Sequence, residues 1–274
     1  MNDKLEPGLY IVATPIGNLS DLSPRAAGVL ARADLIAVED SRVTGKLLNH
    51  IGVKRPMAPY HDHNAERVRP ALIERMRSEA VALVSDAGTP LISDPGYKLV
   101  RDARAAGVAV TTIPGPSAAI AALTLAGLPT DRFAFFGFLP AKGKAATIAE
   151  AAAFKGSLVF YESGPRLAAT LAALCDGLGD RDAAVAREIS KMFEETVTGR
   201  LSELASRYAE ARPKGEIVIV VGPPGEAEAV DEAEIDAALR DALTRLSPSR
   251  AAAEVADRLG VQKRAVYERA LALK

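Results

Sequence analysis

The chain has 274 residues, of which 49% are hydrophobic and 25% charged, with a formal net charge of −1 and a single cysteine. Near-neutrality excludes nucleic-acid binding by bulk electrostatics, although a local basic patch remains compatible with it. One cysteine excludes an internal disulfide and points to a reducing cytoplasm; Cys175 lies in a helical pattern and reads as a core residue. Acidic Asp3 and Glu6 precede a strand-length apolar run, so no signal peptide is read. No stretch reaches the roughly 18 apolar residues of a membrane span. The length suits two domains with a small appendage.

In chain order, residues 9–13 read as a strand and are followed by the loop Thr14-Pro15-Ile16-Gly17-Asn18. Ser23-Pro24 caps and opens a helix to about residue 33. A strand at 35–38 ends in Glu39-Asp40, a helix spans 41–50, and a short segment at 57–60 leads to His61-Asp62-His63-Asn64. A helix at 65–78 precedes the apolar strand 81–84. The loop 85–96 comes next, holding two prolines, two glycines, three hydroxyls and the carboxylates of Asp86 and Asp94. A helix at 97–106, a strand at 108–113 and a second proline-rich loop, Pro114-Gly115-Pro116-Ser117, complete this half. Repeated strand–helix alternation predicts a parallel sheet, with the loops at Thr14, Ser85 and Pro114 on its carboxyl edge, where open α/β sheets bind ligands.

The boundary falls near Gly127-Leu128-Pro129, and the second half opens on the aromatic stretch 133–138. Strands at 158–161, 183–186, 193–198 and 217–221 alternate with helices at 145–154, 166–177 and 201–211, which predicts a second α/β domain with some antiparallel pairing. The domains are therefore 1–120, 121–225 and an all-helical tail at 226–274. In the tail, Ser247-Pro248 opens one helix and Gly260 ends it, and the apolar spacing of Ala252, Val255, Ala256, Leu259, Val261, Val266 and Leu271 is that of a helix-turn-helix. From residue 245 onward seven basic residues face three acidic ones, a net of +4 that suits either a solvated helical cap or contact with nucleic acid.

The first loop has a single glycine, so it is neither a dinucleotide fingerprint nor a P-loop. Three loops offering amides and small hydroxyls suit a neutral or zwitterionic ligand with an amino-acid and a nucleoside moiety. His61, Asp62 and His63 lack the further ligands of a metal site, and none is assigned. Glu162, Glu188 and Glu216 each stand at a strand end in the second domain, as a polar cleft wall requires.

Several stretches, in order from about residue 8 to 221, carry a family resemblance: 9–21, 37–42, 60–64, 81–96, 113–119, 127–133, 160–163 and 187–188. The chain resembles the tetrapyrrole methylase superfamily of S-adenosylmethionine-dependent methyltransferases, fold type III. Within it, the chain looks like the bacterial enzymes that methylate the ribose 2′-oxygen of a 16S ribosomal RNA cytidine. Tetrapyrrole-modifying relatives usually carry Gly-Asp-Pro where this chain has Ser85-Asp86-Ala87, which favours the ribosomal RNA branch.

The resemblance implies two α/β domains of the tetrapyrrole methylase (class III methyltransferase) fold, with a small C-terminal helical domain. It implies S-adenosylmethionine held between the α/β domains by Pro15, Ser85, Asp86, Ala87, Ile92, Ser117 and Ala118 from the first, and Tyr161 and Gly215 from the second. It also implies a homodimer acting on the 30S subunit in the cytoplasm, with no membrane partner. The catalytic candidates are Glu162 and Glu188 as base, with Arg187 or Lys191 stabilising charge and His61 and His63 as alternatives. Asp86 is expected to align the methyl donor. A tetrapyrrole methylase and a non-enzymatic nucleic-acid-binding regulator are the competing readings.

Overall fold

The structure, a computed structural model, describes residues 4–211, 213–225, 232–259, 261 and 263–273. The chain divides into two units, Met1–Pro223 and Pro224–Lys274. The first unit begins with strands β1 (Gly8–Val12), β2 (Leu35–Val38), β3 (Met57–Pro59), β4 (Ala80–Val84) and β5 (Val110–Ile113). They form one sheet in the order β3-β2-β4-β1-β5, with every neighbouring pair parallel. Parallel neighbours need crossovers, supplied by helices α1 (Pro24–Arg32), α2 (Ser41–His50), α3 (Ala65–Arg75) and α4 (Tyr97–Ala105). The Ala26 amide donates to Ser23 Oγ at 3.0 Å and the Arg42 amide to Asp40 Oδ1 at 2.7 Å, which starts α1 and α2 where their sequences ask for caps.

Alternate residues of the apolar strands go to opposite faces. Ile36, Val38, Ala82 and Val84 pack with Val29, Leu30 and Leu47, whereas Leu35, Ala37, Val81 and Leu83 pack with Leu72, Met76 and Leu99. Both faces are covered, so these strands are apolar throughout rather than alternating.

Helix α5 (Ala118–Ala126) leads into the second sheet, built from β6 (Phe133–Phe138), β7 (Ser157–Ser163), β8 (Asp182–Arg187), β9 (Glu195–Arg200) and β10 (Glu216–Val221) in the order β6-β7-β10-β8-β9. The β6–β7 pair is parallel and the other pairs are antiparallel. Helices α6 (Lys144–Ala152), α7 (Leu167–Leu178) and α8 (Leu201–Glu210) cover one face, on Phe160, Val185 and Ile219. Each fully buried leucine of this layer, such as Leu171 or Leu174, contributes roughly 2 kcal/mol. The small residues Ala119, Ala122 and Ala126 of α5 lie on Val159, Ala184 and Val218 of the other face. Cys175 is half-buried on α7 against this core; burial, first, and Asp180 push its thiol pKa up, so it is no nucleophile at neutral pH.

The second unit is described by itself. It holds α9 (Glu232–Leu243), α10 (Pro248–Leu259) and α11 (Lys263–Ala272) around Leu239, Ala252, Val255 and Val266. Leu271 is a correction to the expected apolar face, being 52% exposed. Much of the basic excess is spent internally, with Arg269 paired to Glu232 and Asp236, Arg245 to Asp241 and Glu254, and Arg264 to Glu268. The expected helix stop at Gly260, Lys274, and residues 226–231 of the acidic, Ala-rich stretch 226–234 that reads as linker and helix start lie outside the described residues.

Two strands begin two residues later than in the sequence reading. The strand placed at 108–113 begins at Val110, because the Val108 amide turns back to the Ala103 carbonyl at 3.0 Å and closes the end of α4 through Gly107. The strand placed at 193–198 is β9, two residues later. Met192 and Phe193 are apolar but 90% and 68% exposed, in a turn where the Glu194 amide donates to the Lys191 carbonyl.

Candidate active site

Because β4, β1 and β5 are parallel neighbours, the loops that follow them leave the sheet side by side. Thr14 and Gly88 exchange backbone hydrogen bonds of 2.8 and 3.1 Å, and Thr89 Oγ1 donates to the Pro116 carbonyl at 3.0 Å. Leu91 and Ser93 both hold positive φ, a conformation that non-glycine residues keep only where their surroundings enforce it. Gly96 permits this: a Cβ there would stand 3.1 Å from Leu83 and 3.2 Å from Leu91, so the Leu91 side chain tucks beneath the loop. Apart from Pro90 and Leu91, its residues from Asp86 to Asp94 line one side of a cleft of about 390 Å³.

The second sheet supplies the other side. Since β10 runs antiparallel to β7 and β8, its beginning meets their ends: Glu216 pairs with Ser163, and Ile217 with both Glu162 and Arg187. Tyr161, Glu162, Ser163, Gly215, Glu216, Ile217 and Val218 line the cleft, together with Phe138 and Ile189. The Tyr161 hydroxyl accepts the Ala119 amide at 3.2 Å, tying the second sheet to the start of α5, and its ring meets Phe138 edge-on at 5.5 Å. Burial raises the Tyr161 pKa, so the phenol is neutral.

Of the expected binding residues, Asp86, Ala87, Ile92, Ser117, Ala118, Tyr161 and Gly215 line this cleft. Pro15 and Ser85 are buried and do not line it; Ser85 Oγ donates to the Ala87 carbonyl at 3.3 Å and supports the loop from behind. Asp86 is held by the neighbouring strand end, with Oδ1 accepting the Asp40 amide at 3.0 Å.

The catalytic candidates separate. The Glu162 side chain is wholly buried; its carboxylate accepts from Thr170 Oγ1 at 2.6 Å and the Ser163 amide at 2.8 Å, with Arg166 at 3.4 Å. Arg187 is bound to Glu195 on the adjacent strand at 2.7 Å, and neither it nor Glu188 lines the cleft. Glu188 accepts from Lys191 Nζ at 3.1 Å and the Glu216 amide at 3.1 Å, and Lys191 Nζ also donates to Glu216 at 3.0 Å. Burial raises the Glu188 pKa, but Lys191, the Glu216 amide and Arg187 outweigh it and the net shift is downward. His61 and His63 contact one another in the turn after β3 and do not line the cleft. Among the described residues no group of three or more His, Cys, Asp or Glu is arranged for a metal ion.

Sequence reasoning missed Glu39, and it noted Asp94 only as a charge on the loop. Both line the cleft. Burial is the main cause that raises the pKa of Glu39, followed by Asp86; burial also raises Asp94, with Glu39, Asp86 and Asp62 adding to it, up to about 6. Asp86 is likewise raised by burial and by Asp40. Glu39 ends an apolar strand, as a signal would require, but only the adjacency of β2 and β4 brings it beside Asp86.

Residues 8–205 match the family of tetrapyrrole (corrin/porphyrin) methylases, and residues 229–274 match the RsmI C-terminal HTH domain. The chain is 52% identical over 274 residues to ribosomal RNA small subunit methyltransferase I of Erythrobacter litoralis, covering 99% of this chain and 97% of that one. It is 51% identical to the protein of that name from Mesorhizobium japonicum, covering 98% and 93%. Among solved structures, diphthine synthase aligns with a TM-score of 0.63 at 18% identity, covering 78% of this chain and 89% of that one. Uroporphyrin-III C-methyltransferase from Thermus thermophilus, complexed with S-adenyl homocysteine, aligns at 0.56 and 23% identity, covering 78% and 97%. These structures share the fold. Given the two sheets, the cleft between them and these matches, the chain belongs to the ribosomal RNA small subunit methyltransferase I family, within the tetrapyrrole methylases.

Proposed function

We propose that this protein is an S-adenosylmethionine-dependent methyltransferase that methylates the ribose 2′-oxygen of a cytidine in 16S ribosomal RNA. The observation that supports it most is the cleft itself, floored by three loops at the carboxyl edge of a parallel sheet in a chain of this family. The lining fits the methyl donor. About 390 Å³ is the size of a small-molecule site, the loops offer amides and the Thr89, Ser93 and Ser117 hydroxyls, and Phe138 and Tyr161 give an aromatic flank. When bound, S-adenosylmethionine supplies a methyl group already activated by a cationic sulfur.

What the chain must add is alignment and help for a weakly acidic hydroxyl. We assign Lys191, which adjoins the cleft through Glu216 without itself lining it, the stabilising of negative charge on the 2′-oxygen. Burial opposes its protonation, but Glu216 and Glu188 prevail and raise its pKa, so it keeps its charge beside the cleft-lining Glu216. Glu188 and Arg187 serve as positioning residues. A lowered pKa makes Glu188 a weak proton acceptor, and Arg187 holds the β8 end through Glu195. The bonds around Glu162 favour a supporting role under the cleft wall.

The assembled 30S subunit as substrate, a homodimer, a cytoplasmic setting and the division at 120 and 225 belong to the same reading. No helix among the described residues is long and apolar enough to cross a membrane. The test is mass-spectrometric mapping of 16S ribosomal RNA from unmodified 30S subunits, incubated with the protein and S-adenosylmethionine. A single ribose-methylated cytidine is the expected product. An unmodified RNA, or a methyl on a base, would overturn the assignment.

A further inference from the structure

Three carboxylates from two segments stand on one wall of the cleft: Glu39 after β2, and Asp86 and Asp94 in the loop after β4. The backbone holds two of them face to face. The Asp40 amide donates to Asp86 Oδ1 at 3.0 Å, and the Asp86 amide approaches Glu39 Oε2 at 3.5 Å. None of the three has an ion-pair partner among the described residues; Arg42, whose charge acts favourably on Asp86, is bound to Asp40. Other charges around the wall do not relieve it. Asp62 adds repulsion, His61 contributes a weak attraction at Glu39, and Asp94 is met by the Ser85 hydroxyl and faces neutral Tyr161. On the opposite side Lys191 keeps its charge but is ion-paired with Glu188 at 3.1 Å and Glu216 at 3.0 Å, away from this wall.

A partly dehydrated cluster of like charges costs folding free energy, and a ligand-binding cleft is where a cation would relieve that cost. Methyl transfer changes the ligand charge by one. The C–S bond of the sulfonium breaks as the methyl joins the ribose oxygen, the hydroxyl proton passes to solvent water, and a neutral thioether remains.

Resting on the reading above, we propose that Glu39, Asp86 and Asp94 form an electrostatic selector that binds the cationic methyl donor more tightly than the neutral product, S-adenosylhomocysteine. The two ligands share every group except the methyl and its charge, so each is the control for the other. A unit charge in a partly buried cleft is felt across several ångströms, within the screening length of about 8 Å at physiological salt.

Calorimetric titration of S-adenosylmethionine and S-adenosylhomocysteine into the wild-type protein and into Glu39→Gln, Asp86→Asn and Asp94→Asn tests the selector. These variants keep the shape and an acceptor oxygen. Each is expected to lower the preference for the donor about three- to tenfold, while the affinity for S-adenosylhomocysteine stays within about twofold. Wild-type preference should also fall between pH 7.5 and 5.5, as Asp94 takes up its proton, and less so in Asp94→Asn. A preference that is the same in all four proteins and flat with pH overturns the proposal. Failure of the wild type to bind either ligand overturns the cofactor reading instead. For a variant that loses both ligands, the wild-type pH series decides.

Discussion

The aliphatic stem of Lys191 lies so close against Gly17 that a Cβ on Gly17 would overlap its Cγ and Cε. Gly17 belongs to the loop after β1, and Lys191 to the turn between β8 and β9. A second link runs in parallel, from Ser190 Oγ to Asp21 Oδ2. The two α/β halves therefore touch at the side chain assigned to stabilise charge.

A prediction follows for Gly17→Ala. The added methyl must push Lys191 away from Glu188 and Glu216, and methylation of 30S subunits should fall by roughly tenfold or more, as it should in Lys191→Met. The double variant should be no slower than the slower single one, because both remove the same interaction. Full activity in Gly17→Ala, with Lys191→Met impaired, would show that Lys191 works without this contact.

Glu162 gives a second prediction. Thr170 Oγ1 is a buried donor to its carboxylate, so Thr170→Val leaves a buried charge short of a partner and should cost about 1–3 kcal/mol in urea unfolding. Glu162→Gln keeps the shape and one oxygen acceptor: with that oxygen on the Ser163 amide, its NH2 donates to Thr170 Oγ1, which turns from donor to acceptor; we expect its turnover to stay within a few-fold of wild type. Loss of turnover in a folded Glu162→Gln protein that still binds the methyl donor would return Glu162 to the chemistry.

Asp94 gives the third, with a defined sign. Its pKa is pushed up from 3.8 to about 6 by burial and by its acidic neighbours, so between those values the native state holds a proton that the unfolded chain has lost. Its contribution to stability falls as pH rises through that window, and the full penalty is present above it. Asp94→Asn should therefore be more stable than wild type at pH 7.5, by about 1–2 kcal/mol once solvent reaching the group is allowed for. The advantage should vanish below about pH 4. Denaturant melts at the two pH values check this; an Asn variant less stable at pH 7.5 would contradict it.

Much of the architecture was legible from the chain. The apolar strands, the Ser23-Pro24 helix start and the proline-rich loops depend on neighbours a few residues away, and the structure places them within a few residues of the sequence reading. The loop 85–96 also stood out, because prolines, close-packed glycines and polar groups crowd one short span. Phe193 misled the reading, since apolarity alone cannot distinguish a buried strand from an exposed turn.

What the sequence determined by itself was the set of elements, the site of the rigid loops, and the resemblance carried by local motifs. What only the tertiary structure decided was which residues meet. The order β3-β2-β4-β1-β5 brings Glu39 beside Asp86, 47 positions away in sequence. The antiparallel direction of β10 brings Glu216 to the edge where Glu188 stands. The partners of Glu162 turn a candidate base into a buried, fully engaged carboxylate. Periodicity and turn chemistry act over a few residues, whereas the environment of a charge depends on contacts between strands distant in sequence.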